Sequence, residues 1–357
     1  MSLPEKYCAS PEQTLRAAAL RMEQSSAGIV IVLDDMRRLL GTVTDGDLRR
    51  SLLAGFGLDT TIKDLLERKA VSPYARPVSV PEGTAREEIL RLMEERVIRH
   101  VPVIDSEGRV VELVTNDQLV PHEVIPLQAV IMAGGYGKRL LPLTQNTPKP
   151  MLPIGERPLM ELMIGQLREA GIHRVNITTH FEPEKIRDYF GDGERFGVNL
   201  NYVSEERPLG TAGALRLIES KEEPLLIING DILTKVDFRA MLRFHNEHHA
   251  DLTVGVRQFD FEVPYGVIET DGERVIGVSE KPVYKFFVNA GIYLLRPALD
   301  QFIPADERFD MTDFIQRLAA LGRTVVSFPI MEYWLDIGRH EDYAQAQEDV
   351  KTWETTS

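Results

Sequence analysis

Three glycines in four positions follow an apolar segment in the middle of the chain. The segment QAVIMA runs directly into Gly134, Gly135 and Gly137. Glycine lets the backbone turn tightly and aim several N–H groups at one point, which is how protein loops bind anions. Cationic side chains follow at Arg139 and Lys149, the latter between two prolines. The pattern predicts an anion-binding loop, and an ordinary turn with a solvated basic face remains the equal alternative.

Two aspartates stand where oxygen ligands for a metal would be needed. Asp231 follows the apolar run LLII, and Asp336 lies in the segment YWLDIG. Two carboxylates leave much of an octahedral shell to water and phosphate, which suits Mg²⁺. Either aspartate alone is as readily a turn or helix-capping residue. Together with the anion-binding loop, the pair predicts a Mg²⁺ cofactor.

The elements that must position these residues alternate between strand and helix from residue 128 onward. QAVIMA, LLII and VNAGIYLL are apolar strand patterns, and PLMELMIGQLREAG has apolar residues at helical spacing. This alternation predicts a doubly wound α/β domain, with an inserted β-rich portion where several strand patterns follow one another. Ligands of such sheets bind at the carboxyl ends of the strands, where the glycines and Asp231 are expected.

The first third of the chain contains an internal repeat. Residues 27–48 (AGIVIVLDDMRRLLGTVTDGDL) and residues 98–119 (IRHVPVIDSEGRVVELVTNDQL) follow one plan, and Thr44 corresponds to Thr115, 71 positions later. Each copy predicts a helix, an apolar strand, an acidic turn, a second strand and another helix. Two such units can bury their strands against each other.

The repeat resembles a tandem pair of CBS domains. Such pairs often bind adenosine-type nucleotides through a Thr-x-x-Asp signature, and the resemblance assigns this role to Thr44 and Asp47. The second copy keeps Thr115 but has Gln118 in place of the aspartate. The alternative is that Thr44 and Asp47 only cap the following helix.

The stretch AVIMAGGYGKRLLPLTQNTPKPMLPIGERPLME resembles the signature of the sugar-1-phosphate nucleotidyltransferases. These Mg²⁺-dependent enzymes join a nucleoside monophosphate to a sugar 1-phosphate and release pyrophosphate. The resemblance implies an α/β fold of Rossmann-like nucleotidyltransferase type, with a GT-A-like mixed sheet, after a tandem CBS module. The expected parts are a CBS pair over 1–122 (about 1–66 and 67–122), a linker at 123–127 and a nucleotidyltransferase domain over 128–357.

By this resemblance, the glycine-rich loop holds the nucleotide. Arg139 would bind the β- and γ-phosphates, Lys149 the α-phosphate, and Asp231 with Asp336 the Mg²⁺ ion. Arg139, Lys149 and Asp231 would be the catalytic residues. The nucleotide-binding residues would be Ala133, Gly134, Gly135, Gly137, Lys138, Glu205, Gly210 and Thr211.

Glu205, in the stretch EERPLGTAG, indicates which base is bound. Thymidylyl- and uridylyltransferases of this family normally have glutamine at this position. An ionised carboxylate only accepts hydrogen bonds, whereas guanine presents two adjacent donors. Glu205 therefore favours GTP, as in mannose-1-phosphate guanylyltransferases. The alternatives are that Glu205 faces solvent, or that UTP, dTTP or ATP is the substrate.

The resemblance places the sugar 1-phosphate at strand ends further along the chain. Lys281 would bind its phosphate and Glu280 its ring hydroxyls. Gly266 would allow close backbone approach, and Asn289 would offer a donor and an acceptor. These residues do not distinguish mannose, glucose, glucosamine or a heptose.

Composition and charge limit the partners and the compartment that this chain can have. The net charge of −14 argues against non-specific nucleic-acid binding, and a single cysteine, Cys8, excludes a disulfide framework. Because no signal peptide or membrane-spanning run is evident, we expect a cytoplasmic protein without membrane partners. CBS pairs commonly associate, so we also expect a homo-oligomer. His245, His248 and His249 are expected on the surface of one helix. A nucleotide-sensing protein without turnover and an enzyme gated by its CBS pair remain alternatives.

Overall fold

The computed structural model describes residues 4–25, 27–71, 75–96, 98–119, 125–218, 222–305 and 307–356. The chain forms two compact units, residues 1–123 and 124–357. The linker predicted at 123–127 lies at this boundary, and its first two residues fall outside the described residues. In the described parts of the chain, no helix is both long and apolar enough to cross a bilayer.

Two copies of one small motif build the N-terminal unit. Its strands are β1 (Cys8–Ala9), β2 (Ile29–Leu33), β3 (Leu39–Thr44), β4 (Val80–Pro81), β5 (His100–Ile104) and β6 (Val110–Thr115). Its α-helices are α1 (Leu15–Ser25), α2 (Asp45–Leu53), α3 (Ile62–Lys69), α4 (Arg86–Arg96) and α5 (Asn116–Leu119). Each copy forms a three-stranded sheet, β1-β2-β3 and β4-β5-β6, in which only the last pair is antiparallel.

The internal repeat is confirmed by this arrangement. Strand β2 begins at Ile29 and β5 at His100, 71 positions later, and helices α1 and α4 are offset by the same distance. The two copies also share apolar packing, because Ile29 and Leu33 lie in one buried cluster with Val110 and Leu113. Neither sheet would bury its apolar face so fully alone.

The C-terminal unit contains the remaining elements. Its strands are β7 (Gln128–Met132), β8 (Pro153–Ile154), β9 (Arg157–Pro158), β10 (Arg174–Thr179), β11 (Asn199–Ser204), β12 (Leu225–Asn229), β13 (Ile232–Thr234), β14 (Leu252–Glu262), β15 (Val267–Asp271), β16 (Arg274–Ser279), β17 (Val283–Leu295), β18 (Val325–Pro329) and β19 (Trp334–Asp336). Its α-helices are α6 (Leu159–Glu169), α7 (Pro183–Phe190), α8 (Gly210–Gly213), α9 (Phe238–Glu247), α10 (Met311–Ala320) and α11 (His340–Thr356).

A seven-stranded mixed sheet lies at the centre of this unit, in the order β11-β10-β7-β12-β17-β14-β18. The first four strands are parallel, and β17 runs antiparallel to both its neighbours. Both faces are covered, since Ala129 and Ile131 of β7 pack into one buried cluster and Val130 into another. The predicted mixed-sheet α/β fold is therefore confirmed, and its apolar strands reflect burial on two faces.

Strands β14 and β17 continue beyond the sheet as a two-stranded ribbon. Their inner parts, residues 252–256 and 290–295, are buried, whereas their outer parts, 259–262 and 283–287, are exposed. The two strands stay paired to the end, Glu262 opposite Val283. The hairpin of β15 and β16 lies between them in the chain, so this is the inserted β-rich portion.

One of the three clustered histidines corrects the expectation that all lie on the surface. His245 is 3% exposed, and its Nδ1 lies 2.9 Å from Thr253 Oγ1. It shares the inward face of α9 with Met241 and Phe238, which stand one and two turns before it. Burial, with a smaller effect of Arg296, lowers the pKa of His245 to about 4.

Acidification should therefore destabilise the C-terminal unit. The unfolded chain binds a proton at His245 near pH 6.5 and the native chain near pH 4. The contribution of neutral His245 to native stability is therefore fully present above pH 6.5, and it is lost as the pH falls towards 4. The loss should reach about 3 kcal/mol. Both tryptophans lie in this unit, so their fluorescence during urea unfolding measures it. His245→Gln should flatten the pH dependence of the free energy of unfolding. The same change at exposed His248 should leave that pH dependence unaltered.

Candidate active site

The glycine-rich loop forms a wall of a cavity of about 450 Å³. The loop leaves the buried strand β7 after Met132 and enters a 3₁₀ turn at Lys138–Leu140. Nine of the residues predicted from sequence line this cavity: Ala133, Gly134, Gly135, Lys138, Lys149, Glu205, Gly210, Thr211 and Asp231. The carboxyl ends of β7 and β12 therefore bring together residues that are nearly a hundred positions apart.

Gly137 joins the loop to the segment that carries Lys149. Its φ of 62° is left-handed, and a Cβ there would lie 2.8 Å from Thr144 Cγ2 and 3.3 Å from Lys149 Cβ. Thr144 Oγ1 donates a hydrogen bond to the Gly137 carbonyl at 2.8 Å. A side chain at position 137 would separate these segments, which explains the third glycine.

The predicted metal carboxylates lie together with Lys149. Lys149 Nζ is 2.6 Å from Asp231 Oδ2. Asp336 is brought to the same place because β13 pairs with β19, which sets Ile232 opposite Asp336. Ile337 N also donates to the Asp231 carbonyl at 3.0 Å. A short sheet thus holds two aspartates that are distant in sequence.

The surroundings of Asp336 favour a bound cation. Burial raises the pKa of Asp336 and the charge of Asp231 raises it further, while Lys149 and Arg139 lower it. Among the described side chains, Asp336 Oδ1 and Asn229 Oδ1 are buried oxygens without a hydrogen-bond partner. Buried acceptors of this kind normally have a partner, and carboxylate and amide oxygens are ligands that Mg²⁺ takes. The residues present therefore fit Mg²⁺.

Arg139 lies beside the same carboxylate. A Cβ on Gly338 would lie 3.2 Å from Arg139 Nη1 and 3.5 Å from Asp336 Oδ1. Arg139 thus lies beside the carboxylates, but it is not among the residues that line the cavity. Arg139, Lys149, Asp231 and Asp336 thus lie together, whereas Lys281, the remaining cation assigned to a phosphate, is not among the residues that line the cavity.

Glu205 lines the cavity and is buried, with 8% of its surface exposed, so the alternative that it faces solvent is wrong. Its Oε2 accepts a hydrogen bond from Leu209 N at 2.9 Å. Its Oε1 would lie 2.7 Å from a Cβ on Gly134, so the loop needs glycine there. Burial raises the pKa of Glu205, while the Leu209 N–H, His180 and Thr178 favour its charged form.

Tyr136 and His180 are cavity-side residues that sequence reasoning missed. His180 Nδ1 lies 2.8 Å from the Glu205 carbonyl, which only accepts, so Nδ1 carries the proton. Its Nε2 lies 2.9 Å from Tyr136 Oη, so the ring links the glycine-rich loop to the backbone at Glu205. Tyr136 stands between Gly135 and Gly137, so the glycine-rich motif could have indicated it. Nothing in the sequence links His180 to that motif.

The Gly210 turn is anchored to the start of α10. Gly210 has φ 83°, and a Cβ there would lie 2.6 Å from Asp310 Oδ1. Thr211 N donates to the same oxygen at 3.1 Å, and Met311 N donates to Thr211 Oγ1 at 2.8 Å. Asp310 and Arg308 also line the cavity. Neither was expected, because a contact across a hundred residues has no local signature.

The four residues assigned to the sugar lie outside the cavity lining. Glu280 Oε2 would lie 3.0 Å from a Cβ on Gly266, so these two are adjacent. Asn289 Oδ1 accepts from Gly291 N at 3.0 Å. Lys281 has φ 45° and is exposed at the turn before β17. Gly266, Glu280 and Lys281 lie directly beside the β15–β16 hairpin, and Asn289 lies on β17 where that strand enters the central sheet.

Asn229 and Tyr293 connect this strand to the two carboxylates that the sequence predicts as metal ligands. Asn229 ends β12, lines the cavity and has its Nδ2 2.7 Å from the position of a Cβ on Gly291. Burial raises the pKa of Tyr293 to about 12, the Asn289 side chain opposes the shift and the charge of Asp231 adds to it. The hydroxyl thus lies between a predicted sugar residue and a predicted metal ligand.

In the N-terminal unit, Thr44 and Asp47 form a capping box for α2. Thr44 Oγ1 accepts from Asp47 N at 3.3 Å, and Asp47 Oδ2 accepts from Thr44 N at 3.0 Å. The Asp47 carboxylate is 4% exposed and lies 2.7 Å from Lys69 Nζ. In the second copy, Thr115 N donates to Gln118 Oε1 at 3.1 Å. These contacts support the capping alternative for Thr44 and Asp47.

Comparison with known families defines the class of protein. Residues 128–352 match the nucleotidyl transferase family, and residues 4–54 and 62–122 each match the CBS domain. The first match alone covers more than half of the chain. The chain belongs to the nucleotidyl transferase family, and it carries a tandem CBS pair before the transferase unit.

Three individual proteins show the range of this similarity. The D-glycero-α-D-manno-heptose 1-phosphate guanylyltransferase of Aneurinibacillus thermoaerophilus is 34% identical over 63% of this chain and 99% of its own length. The UTP–glucose-1-phosphate uridylyltransferase of Synechocystis is 31% identical over 62% of each chain, so less than two thirds of that relative is matched. The crystal structure of HddC from Yersinia pseudotuberculosis is 26% identical, with a TM-score of 0.50 over 62% of this chain and 99% of that one.

Proposed function

We propose that the chain transfers GMP from GTP to a sugar 1-phosphate, releasing pyrophosphate, with Mg²⁺ as its cofactor. The observation that carries the proposal is the cluster of Lys149, Asp231 and Asp336 beside the glycine-rich cavity. A site that only bound a nucleotide would not need two half-buried carboxylates beside a lysine, one of them with an oxygen, Asp336 Oδ1, that lacks a hydrogen-bond partner. Transfer between two phosphates gives this cluster a task, because negative charge accumulates there in the transition state.

The chain's residues have the task of aligning two anions. The nucleophile is a phosphate oxygen of the sugar 1-phosphate, which is already ionised, so no general base is needed. It attacks the α-phosphorus of GTP as the bond to the pyrophosphate oxygen breaks. Lys149 would neutralise the α-phosphate and Arg139 the departing pyrophosphate. Mg²⁺ held by Asp231 and Asp336 would supply further charge neutralisation and orient the phosphate oxygens.

GTP is favoured by the burial of Glu205. One carboxylate oxygen is bonded to Leu209 N and the other lies against Gly134, and a carboxylate retains acceptor capacity beyond a single bond. A buried acceptor matches the adjacent donors of guanine and opposes the carbonyl of uracil. The names of the relatives include both guanylyl- and uridylyltransferases, and Glu205 is the feature of this chain that supports GTP.

The test is pyrophosphate release from GTP, UTP, dTTP and ATP, each with the 1-phosphates of mannose, glucose, glucosamine and a manno-heptose. We expect GTP to be the best nucleotide by a factor of about 10² in kcat/KM, with a manno-configured sugar. Equal rates with UTP would contradict the assignment of the base. Turnover with no pair, despite measurable GTP binding, would instead support a nucleotide-sensing protein.

The proposal assigns no ligand to the CBS pair. The Asp47 carboxylate, which would bind a ribose, already contacts Lys69 and Thr44, and Gln118 cannot replace it as an anion. Gating by adenosine nucleotides would appear as a change in kcat or KM on their addition. We expect none with the intact chain.

A further inference from the structure

One side chain anchors the middle of the glycine-rich loop. Residues 134–137 carry a single side chain, that of Tyr136. At the two ends of the loop, Ala133 N donates to a backbone carbonyl of β10 at 2.9 Å, and the Gly137 carbonyl accepts from a threonine hydroxyl at 2.8 Å. Among the described residues, no backbone hydrogen bond reaches the three positions between them. Glycine-rich backbone loses much conformational freedom on ordering, so the contacts of Tyr136 decide how well this loop is fixed.

His180 holds Tyr136 and joins it to the opposite side of the cavity. The ring follows directly after β10, and its Nε2 lies 2.9 Å from Tyr136 Oη. Its Nδ1 lies 2.8 Å from the carbonyl of Glu205, whose own N–H donates to β10 at 2.9 Å. Tyr136 is 45% exposed, and its ring meets Phe181 only at a tilt, with centroids 5.6 Å apart. Because packing covers so little of Tyr136, its hydroxyl contact with His180 is the main tie.

The loop also touches Glu205 directly at Gly134. A Cβ on Gly134 would lie 2.7 Å from Glu205 Oε1 and 3.5 Å from His180 Cβ. The glycine-rich loop, the imidazole and the carboxylate therefore meet at one place. A shift of the loop would change both the aim of its N–H groups and the space beside the carboxylate. Fixing such a loop before the ligand arrives removes an ordering cost from binding.

We propose that Tyr136 and His180 are a positioning pair that holds the glycine-rich loop in the conformation that binds a nucleoside triphosphate. The inference rests on the proposed function, because it takes the triphosphate to be the ligand of this loop. The tie runs from the hydroxyl of Tyr136 to backbone at Glu205, so it acts on the loop and not on the choice of base. Its loss should weaken every ligand that carries a triphosphate by a similar factor.

Two substitutions break this tie from its two sides. Tyr136→Phe removes the hydroxyl and keeps the ring, whereas His180→Asn keeps an amide N–H near the position of Nδ1 and removes Nε2. Each should raise the dissociation constants of GTP and of inorganic tripolyphosphate about 5- to 10-fold, as titration calorimetry of the full chain measures. The double variant should be no weaker than either single one, because both remove the same contact. The KM for GTP should rise by the same factor, and the KM for the sugar 1-phosphate should not change.

The other end of β10 supplies a matched control. His173 Nδ1 lies 3.0 Å from the Gly197 carbonyl at an exposed position, so His173→Asn makes the same chemical change away from the loop. Its dissociation constants should equal those of the wild type. Hydrogen exchange of the full chain without nucleotide should be faster over residues 133–140 in Tyr136→Phe and His180→Asn than in the wild type or the control. Saturating GTP should abolish that difference.

Three results would overturn the proposal. These are unchanged affinities in both single variants, effects that add in the double variant, and a loss confined to GTP while tripolyphosphate binds as before. The last result would place the pair at the base. The binding measurements need no turnover, so a wild-type chain that binds GTP without releasing pyrophosphate would refute the proposed function alone.

Discussion

Replacing Asp231 by asparagine should reduce kcat by roughly 10³-fold or more, because the proposed anionic ligand of Mg²⁺ and the partner of Lys149 are lost together. Asparagine keeps the shape of the side chain, and the backbone carbonyl of residue 231 still accepts from Ile337 N. The fold should therefore survive. Pyrophosphate release at saturating GTP and sugar 1-phosphate measures the effect, and Mn²⁺ affinity, followed by its paramagnetic resonance, should fall in parallel.

A surface carboxylate provides the control for this change. Asp188 is exposed on α7, and Asp188→Asn removes the same charge without touching the site. Its kcat and Mn²⁺ affinity should match those of the wild type. If Asp231→Asn kept more than about a tenth of kcat, a role for this carboxylate in neutralising phosphate charge would be untenable. If the variant bound Mn²⁺ weakly but kept full activity, the metal held by Asp231 would not be needed for the reaction.

The fold could largely be predicted because its determinants are local or periodic. The repeat offset of 71 follows from letter-by-letter comparison, and the apolar runs of β7 and β12 mark strands that are buried on two faces. The place of His245 could not be predicted from its type, since histidine occurs on both surfaces and cores. Only its spacing from Phe238 and Met241, seven and four residues before it on α9, indicates an inward position.

The candidate site was predictable only where a residue sits in a recognisable motif. Lys149, Glu205 and Asp231 each stand in such a stretch, and the structure places all three on one cavity. Asp310 and His180 have no motif, because their place depends on which strand ends and helix starts the topology brings together. A close approach such as that of Gly210 to Asp310 exists only in three dimensions, so a single sequence cannot show it.

The change Glu205→Gln should transfer nucleotide preference from GTP towards UTP and dTTP. The amide oxygen can still accept from Leu209 N, so the turn should keep its anchor. The amide nitrogen, however, adds a donor that opposes the donors of guanine and matches a pyrimidine carbonyl. We expect kcat/KM for GTP to fall by about 10²-fold, and the ratio of UTP to GTP turnover to rise by more.

The adjacent residue separates base recognition from loss of charge. Glu206 is exposed, so Glu206→Gln removes the same charge one position away and should leave the nucleotide profile unchanged. A uniform fall with every nucleotide in Glu205→Gln would mean that Glu205 only supports the Leu209 turn. A fall confined to GTP would mean that the buried carboxylate reads the base. The second result is expected, because Glu205 lines the cavity and its Oε1 lies against the glycine-rich loop at Gly134.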